Sequence, residues 1–164
     1  MAILPILRYP DPRLRSPCKP VEAFDGRLAA LADDLAATMR AAPGIGITAA
    51  HVGIAERLTV IELEGAASQR VYVNPAIEWA SPQTQRHAEG SVSMPGVTDE
   101  VERPARIRIT YQDLAGGTHT EEADGLLAVC LQHEIDQLDG IFWIDRLSRL
   151  KRERIVRKFR KAGT

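Results

Sequence analysis

Residues 132–138 read Gln-His-Glu-Ile-Asp-Gln-Leu, and this short run carries the chain's strongest chemical signal. Positions 133 and 137 fall one turn apart on a shared helix face, the spacing at which a helix aims two side chains at one metal ion. His133 fills the first position, and Glu134 stands where a general base would act on metal-bound water. The second position holds Gln137, so the residues alone supply half a motif. A buried helix with one hydrogen-bonded histidine is the competing reading. Back along the same face come Cys130, Val129 and Leu126, an apolar wall leading to the histidine. Cys130 reads as part of that wall rather than as a ligand, and ordinary core packing competes for all three.

Two other segments could meet this helix. Gly44-Ile45-Gly46-Ile47-Thr48-Ala49-Ala50-His51 combines small residues with glycines that let a backbone approach another group closely. It lacks the third glycine and the following acid of a dinucleotide fingerprint. Glu89-Gly90-Ser91-Val92-Ser93-Met94-Pro95-Gly96 reads as a loop or an edge strand.

The elements that must position these residues follow from periodicity and punctuation. The opening Tyr9-Pro10-Asp11-Pro12 is too rich in proline for regular structure and predicts an extended arm. Asp25 caps a predicted helix to about Arg40, with Leu28, Leu31, Leu35 and Met39 on one face, and Pro43-Gly44 ends it. Strands are expected at Leu58–Glu64, Val71–Asn74 and Ile107–Gln112, the last in a hairpin turned by Ala115-Gly116-Gly117. Asp124 caps a second helix from Gly125 to about Asp139, stopped by Gly140. A third spans Arg146–Lys161, with Leu147, Leu150, Ile155, Val156 and Phe159 tracing a broad apolar arc. Helices mixed with antiparallel strands predict an α+β fold.

Taken in order and at these intervals, the three segments resemble the three motifs of peptide deformylases: GxGLAAxQ, EGCLS and HExDHL. The flanks YPDPRLRSPCKPV and LDGIFWIDRLSRLKRERIVRKFRK resemble that family's two ends, so the likeness covers nearly the whole chain. The resemblance implies one α+β domain over 1–164, with antiparallel strands around the helix that carries His133. It further implies a hydrolase acting on the N-terminal formyl group of formyl-methionyl nascent peptides. In such enzymes the motif cysteine and both histidines hold Fe(II), or Zn(II) or Ni(II) in its place. The intervening glutamate is the general acid and base. The motif glutamine and the backbone N–H after the cysteine hold the developing oxyanion. Carried over, Glu134 is the catalytic residue, and Ile45, Gly46, Gly90 and Val92 line the path of the peptide. Leu126, Val129 and Cys130 then line a slot for its first side chain.

The match breaks where the chemistry is most demanding. The cysteine position is Ser91, the second histidine is Gln137, the oxyanion glutamine is His51, and Thr48 replaces a small alanine. A hydroxyl and an amide are poor ligands for iron or zinc beside thiolate and imidazole. Bound metal lowers the pKa of water from 15.7 to about 7, so its loss makes hydroxide formation roughly 12 kcal/mol harder. General-base help supplies only about 10²–10⁴-fold. Standard metal-dependent deformylation is therefore expected to be weak or lost. Three alternatives stay open: a remodelled metal site on His51, His133, Gln137 and Ser91; a metal-free pocket in which His51 bonds Glu134 or Ser91; and a Ser91 nucleophile activated by His51 or His133.

Composition bounds the partners. At 164 residues, 45% hydrophobic and 26% charged, the chain has the size and make-up of one folded domain. Two distant cysteines, Cys18 and Cys130, give no disulfide framework and suit a reducing compartment. Pro5 and Arg8 interrupt any signal-like apolar stretch, so the expected location is the cytoplasm, away from membranes. Residues 146–161 hold nine Lys/Arg and one acid, Glu153, against 12 basic and 21 acidic side chains elsewhere. An acidic body with a basic tail points to a partner for the tail. The resemblance suggests ribosomal RNA, contacted without sequence-specific recognition; a solvated surface helix is the alternative.

Overall fold

The structure, a computed structural model, describes residues 1–163. Helix α1 (Gly26–Ala41) buries Leu28, Leu31, Leu35 and Met39 together, as their spacing requires. The Asp25 side chain accepts from the Leu28 N–H at 3.2 Å, and the Gly44 N–H closes the other end on the Met39 carbonyl at 2.7 Å. The buried face packs on β1 (Gly46–Thr48) and β2 (Leu58–Ile61). These strands continue through β3 (Arg70–Ala80) into two later ones, β6 (Arg106–Gln112) and β7 (Thr118–Asp124). The five form one antiparallel sheet in the order β1-β2-β3-β6-β7, and β6 and β7 are the expected hairpin. Between β3 and β6 lies a separate two-stranded ribbon, β4 (Thr84–Ser91) with β5 (Met94–Pro104).

The central helix, α2 (Gly125–Leu138), touches strands of both sheets and is buried continuously from Ala128 to Leu138. It begins after Asp124 as expected, but the Asp124 side chain makes no capping bond. Gly140 ends it with a positive φ of 80°.

Four expectations need correction. The proline-rich arm is not wholly extended: Pro12–Arg15 forms a 3-10 turn capped by Asp11, and Leu14 is buried. Strand β3 runs on to Ala80, past the expected stop at Asn74. Asn74 adopts φ 50°, and the register shifts between Val73 and Ala76, so a bulge carries the strand past Pro75. Strand β2 stops at Ile61 rather than at Glu64, whereas the segment 89–96, expected as a loop or an edge strand, is the closed end of a long hairpin whose two strands are both edges. The last helix, α3, spans Arg149–Ala162 rather than starting at Arg146, because Trp143–Arg146 makes its own 3-10 turn and Ser148 caps the helix. Ile155 and Phe159 are buried while Leu150 stays 65% exposed, so the predicted arc narrows to a stripe.

The N-terminal arm lies against the end of α2. Its Cys18 N–H donates to the Leu138 carbonyl at 2.8 Å, and a Cβ at Gly140 would stand 2.6 Å from the Arg15 carbonyl oxygen. Gly140→Ala therefore combines a left-handed backbone with a clash. It is expected to cost about 1–3 kcal/mol, read as a lower urea midpoint; an unchanged midpoint would mean the arm is not seated there.

Candidate active site

A cleft of about 460 Å³ opens between β1, the closed end of the β4–β5 ribbon and α2. From the glycine segment it is lined by Ile45, Gly46 and His51, and from the ribbon by Gly90, Ser91 and Val92. Helix α2 adds Leu126, Val129, Cys130, His133 and Glu134. The helical wall deduced from spacing thus faces a real cavity. Gln137 does not line it. Its amide Nε2–H donates to the Leu14 carbonyl at 2.6 Å, so the residue at the second-histidine position ties the arm to α2.

The lining polar groups each have a defined neighbour. Glu89 on β4 accepts from His133 Nδ1 at 2.9 Å and from Arg103 on β5 at 2.5 and 2.9 Å. Arg103, 4% exposed, also reaches Asp136 of α2 at 2.8 Å, and Arg146 grips the same Asp136 through two bonds of 2.8 and 2.9 Å. Burial pushes the Glu89 carboxyl up, but the hydrogen bonds from His133 and Arg103 outweigh it and hold the group down at about 2. A Glu89 carboxylate fixes the His133 proton on Nδ1 and leaves Nε2 for the cleft.

Glu134 lies against the backbone of β1. A Cβ on Gly46 would fall 2.5 Å from its Oε2, so what the glycine admits closely is the protein's own carboxylate. Oε1 is buried with no partner among the described residues. Burial raises this carboxyl to about 7, the range suited to a general acid and base at neutral pH. Burial alone would lower the His133 imidazole, yet the Glu134 charge and the bond to Glu89 raise it above its ordinary value.

His51 does not bond to Glu134 or Ser91, the two partners expected of it in a metal-free pocket. Its Nδ1 accepts from the Thr48 N–H at 2.9 Å and lies 3.0 Å from Thr48 Oγ1. Burial, with His133 nearby, lowers its pKa to about 3, so the ring is neutral. Ser91 Oγ accepts from the Ser93 N–H at 3.0 Å and touches neither imidazole by hydrogen bond, so a preformed Ser–His pair is absent among the described residues. Burial pushes the Cys130 thiol up to about 12, which keeps it protonated. Iron, zinc or nickel therefore meets an ill-fitting donor set: a hydroxyl already in a turn, an amide turned onto Leu14, and two imidazoles. Among the described residues no three His, Cys, Asp or Glu side chains group as a metal ion would need.

Comparison with known proteins agrees with this architecture. The polypeptide deformylase family model matches residues 3–153. The chain belongs to the peptide deformylase family. A "peptide deformylase-like" protein of Brucella melitensis is 63% identical over 98% of both chains. A peptide deformylase of Phenylobacterium zucineum is 49% identical over 98% of this chain and 97% of its own. The crystal structure of a peptide deformylase from Legionella pneumophila superposes with a TM-score of 0.94 at 40% identity, covering 99% of this chain and 96% of that one. The fold is thus the α+β peptide deformylase fold.

Arg103 and Arg146 touch the site's carboxylates although no sequence motif singled them out, and Asp136, the motif's aspartate, had no role assigned to it. Arg103 shares strand parity with Val97 and Val101, both buried, and that alternation would have turned it inward had the segment been read as a strand.

The raised Glu134 carboxyl has a consequence for stability. Its folded value of about 7 exceeds the ordinary 4.5, so the folded state holds its proton more tightly, and stability falls as pH rises from 4.5 to 7. Glu134→Gln removes that penalty. The variant is expected to gain up to about 3 kcal/mol over wild type at pH 8, with the gain fading toward pH 4.5. Urea unfolding at the two pH values checks this, and equal stability at pH 8 would refute it.

Proposed function

We propose that this chain is a peptide deformylase-like protein whose cleft receives formyl-methionyl or methionine-starting peptide ends, with standard metal-dependent formate release weak or lost. The observation that carries the reading is Gln137, whose amide serves the Leu14 carbonyl instead of the cleft. Ser91 adds to it, because a hydroxyl occupied by the Ser93 N–H is a poor replacement for thiolate. Without a metal, Glu134 would have to activate free water, a step that general-base help alone accelerates by only about 10²–10⁴-fold. The apolar wall of Leu126, Val129 and Cys130 supports a retained slot for a methionine side chain.

The second reading is an active deformylase or amidase built on a remodelled site with Glu134 as acid and base. It is favoured by the Glu134 pKa near 7 and by its buried, unpartnered Oε1. Anaerobic protein given Fe(II), Ni(II) or Zn(II) and a formyl-methionyl peptide separates the two. Formate release no greater than in Glu134→Gln is expected; metal-dependent turnover that Glu134→Gln abolishes would establish the second reading.

The basic helix α3 supports a further partner. Arg154, Arg157, Lys158 and Arg160 are exposed along it, and such a face suits ribosomal RNA through phosphate contacts in the cytoplasm. No helix among the described residues is long and apolar enough to cross a membrane. Co-sedimentation with ribosomes is expected to fall steeply between about 50 and 200 mM salt. Salt-independent association, or none at low salt, would refute this partner.

A further inference from the structure

A second groove, of about 620 Å³, lies between the N-terminal arm, the 3-10 turn at Trp143–Arg146 and helix α3. It shares no lining residue with the cleft described above. Its middle is apolar: Tyr9 and Val156 line it, with the buried Ile144 beneath. The Tyr9 ring is held in place, stacked on Phe142 at 5.5 Å and edge-on to Phe159 at 6.1 Å. Toward the start of α3 the lining is mixed in charge. Arg152 and Glu153 come from the helix, and the Arg15–Asp145 ion pair joins the arm to the turn before it. Further along come Arg157 and Arg160, three residues apart and so neighbours on one helix face. The lining acids, Asp145 and Glu153, are bonded by Arg15 and Arg149. Arg152, Arg157 and Arg160 have no ion-pair partner among the described residues.

Each part of this groove fits one part of the same kind of molecule. Two neighbouring guanidinium groups without acids of their own hold phosphate through paired N–H donors. An aromatic ring beside an aliphatic side chain takes the flat face of a base. A carboxylate already bonded to arginine keeps further lone pairs for an amino group on the base edge, and Arg152 can donate to a ring nitrogen. Arg152 and Arg160 stand two turns apart, roughly 12 Å along the axis, which leaves room for a base, a sugar and two phosphates in line. We infer that this groove binds a free nucleoside diphosphate whose base carries an amino group, with the phosphates on Arg157 and Arg160 and the base against Tyr9 and Val156. Bare phosphate would use the cationic end alone and leave the apolar middle in water. A nucleotide within an RNA strand would have to leave its stack to enter, whereas a free one arrives unstacked. The inference is independent of the peptide-binding reading. It shares Arg157 and Arg160 with the face proposed for ribosomal RNA, and Arg152 sets the two apart: it lines the groove and is half-buried, whereas Arg154 is exposed outside it.

Isothermal titration calorimetry of the full chain with ADP tests this, at about 150 mM salt to screen long-range attraction. ADP is expected to bind with a Kd below about 100 μM, and inorganic pyrophosphate at least about tenfold more weakly. Arg157→Gln combined with Arg160→Gln should weaken ADP binding at least about tenfold, the loss of one charge-assisted bond or more. Arg152→Glu should do the same. Arg154→Glu, an equal change of charge on the same helix, should leave the Kd within about twofold. Weaker ADP binding than that by wild type, or a Kd unmoved by the paired glutamines, overturns the inference. Pyrophosphate binding as tight as that of ADP, or equal losses in Arg152→Glu and Arg154→Glu, overturns it by reducing the groove to a general cationic surface. A single-stranded RNA that binds where ADP does not overturns it in favour of the ribosomal partner.

Discussion

Arg103 is a guanidinium held in the interior between two carboxylates, Glu89 and Asp136, and through them it joins the β4–β5 ribbon to α2. Removing one partner from such a buried arrangement typically costs about 3–5 kcal/mol, because the remaining charge is stranded. The ribbon carries little apolar surface of its own. Its buried Met94, Val97 and Val101 join a cluster with Trp143, Ile155 and Phe159, while the charged link ties it to α2. Since Gly90, Ser91 and Val92 sit at the ribbon's closed end and His133 and Glu134 on the helix, the width of the cleft depends on the same charges.

The electrostatics of the cleft arise from that arrangement. Glu89 serves as the hub: it is ionised by His133 and Arg103 and in turn orients His133. Glu134, next to His133 on α2, has no such cation bonded to it among the described residues and is left with the cost of burial. Two carboxylates within one site are thereby driven to opposite ends of the carboxylate range, the condition that lets one stay charged while the other exchanges a proton near neutrality. The positions that depart from the family pattern have been drawn into the scaffold instead: Gln137 onto the N-terminal arm, Ser91 into its own turn, and His51 onto Thr48. Thr48 and His51, two departures in one segment, form a single bonded unit.

The charge asymmetry of the chain is also resolved by the fold. Arg146 bonds to Asp136 while its side chain stays half exposed, so one of the nine basic residues of the tail also serves the central network. The rest of the tail packs through Ile155 and Phe159, with Tyr9 of the arm against Phe159, leaving a cationic outer face on an acidic body.

Local physics made much of this molecule legible from the chain alone. The face of α1, the start and stop of α2, the β6–β7 hairpin and the wall from Leu126 to His133 all rest on periodicity and punctuation between near neighbours in sequence. Three spaced motifs identified the fold family because they carry information about distant segments together. Most of the ribbon stayed hidden, since β4 carries few apolar residues and Pro95, Gly96 and Pro104 interrupt β5. The partner of each substituted residue was hidden too. Whether Gln137 faces a cleft or a carbonyl 123 residues away, and which nitrogen of His51 holds the proton, depend on hydrogen bonds fixed only when the chain closes. The sequence by itself determined which functional groups are available; the tertiary structure decided which of them are already engaged, because a buried polar atom takes whatever partner packing brings within reach.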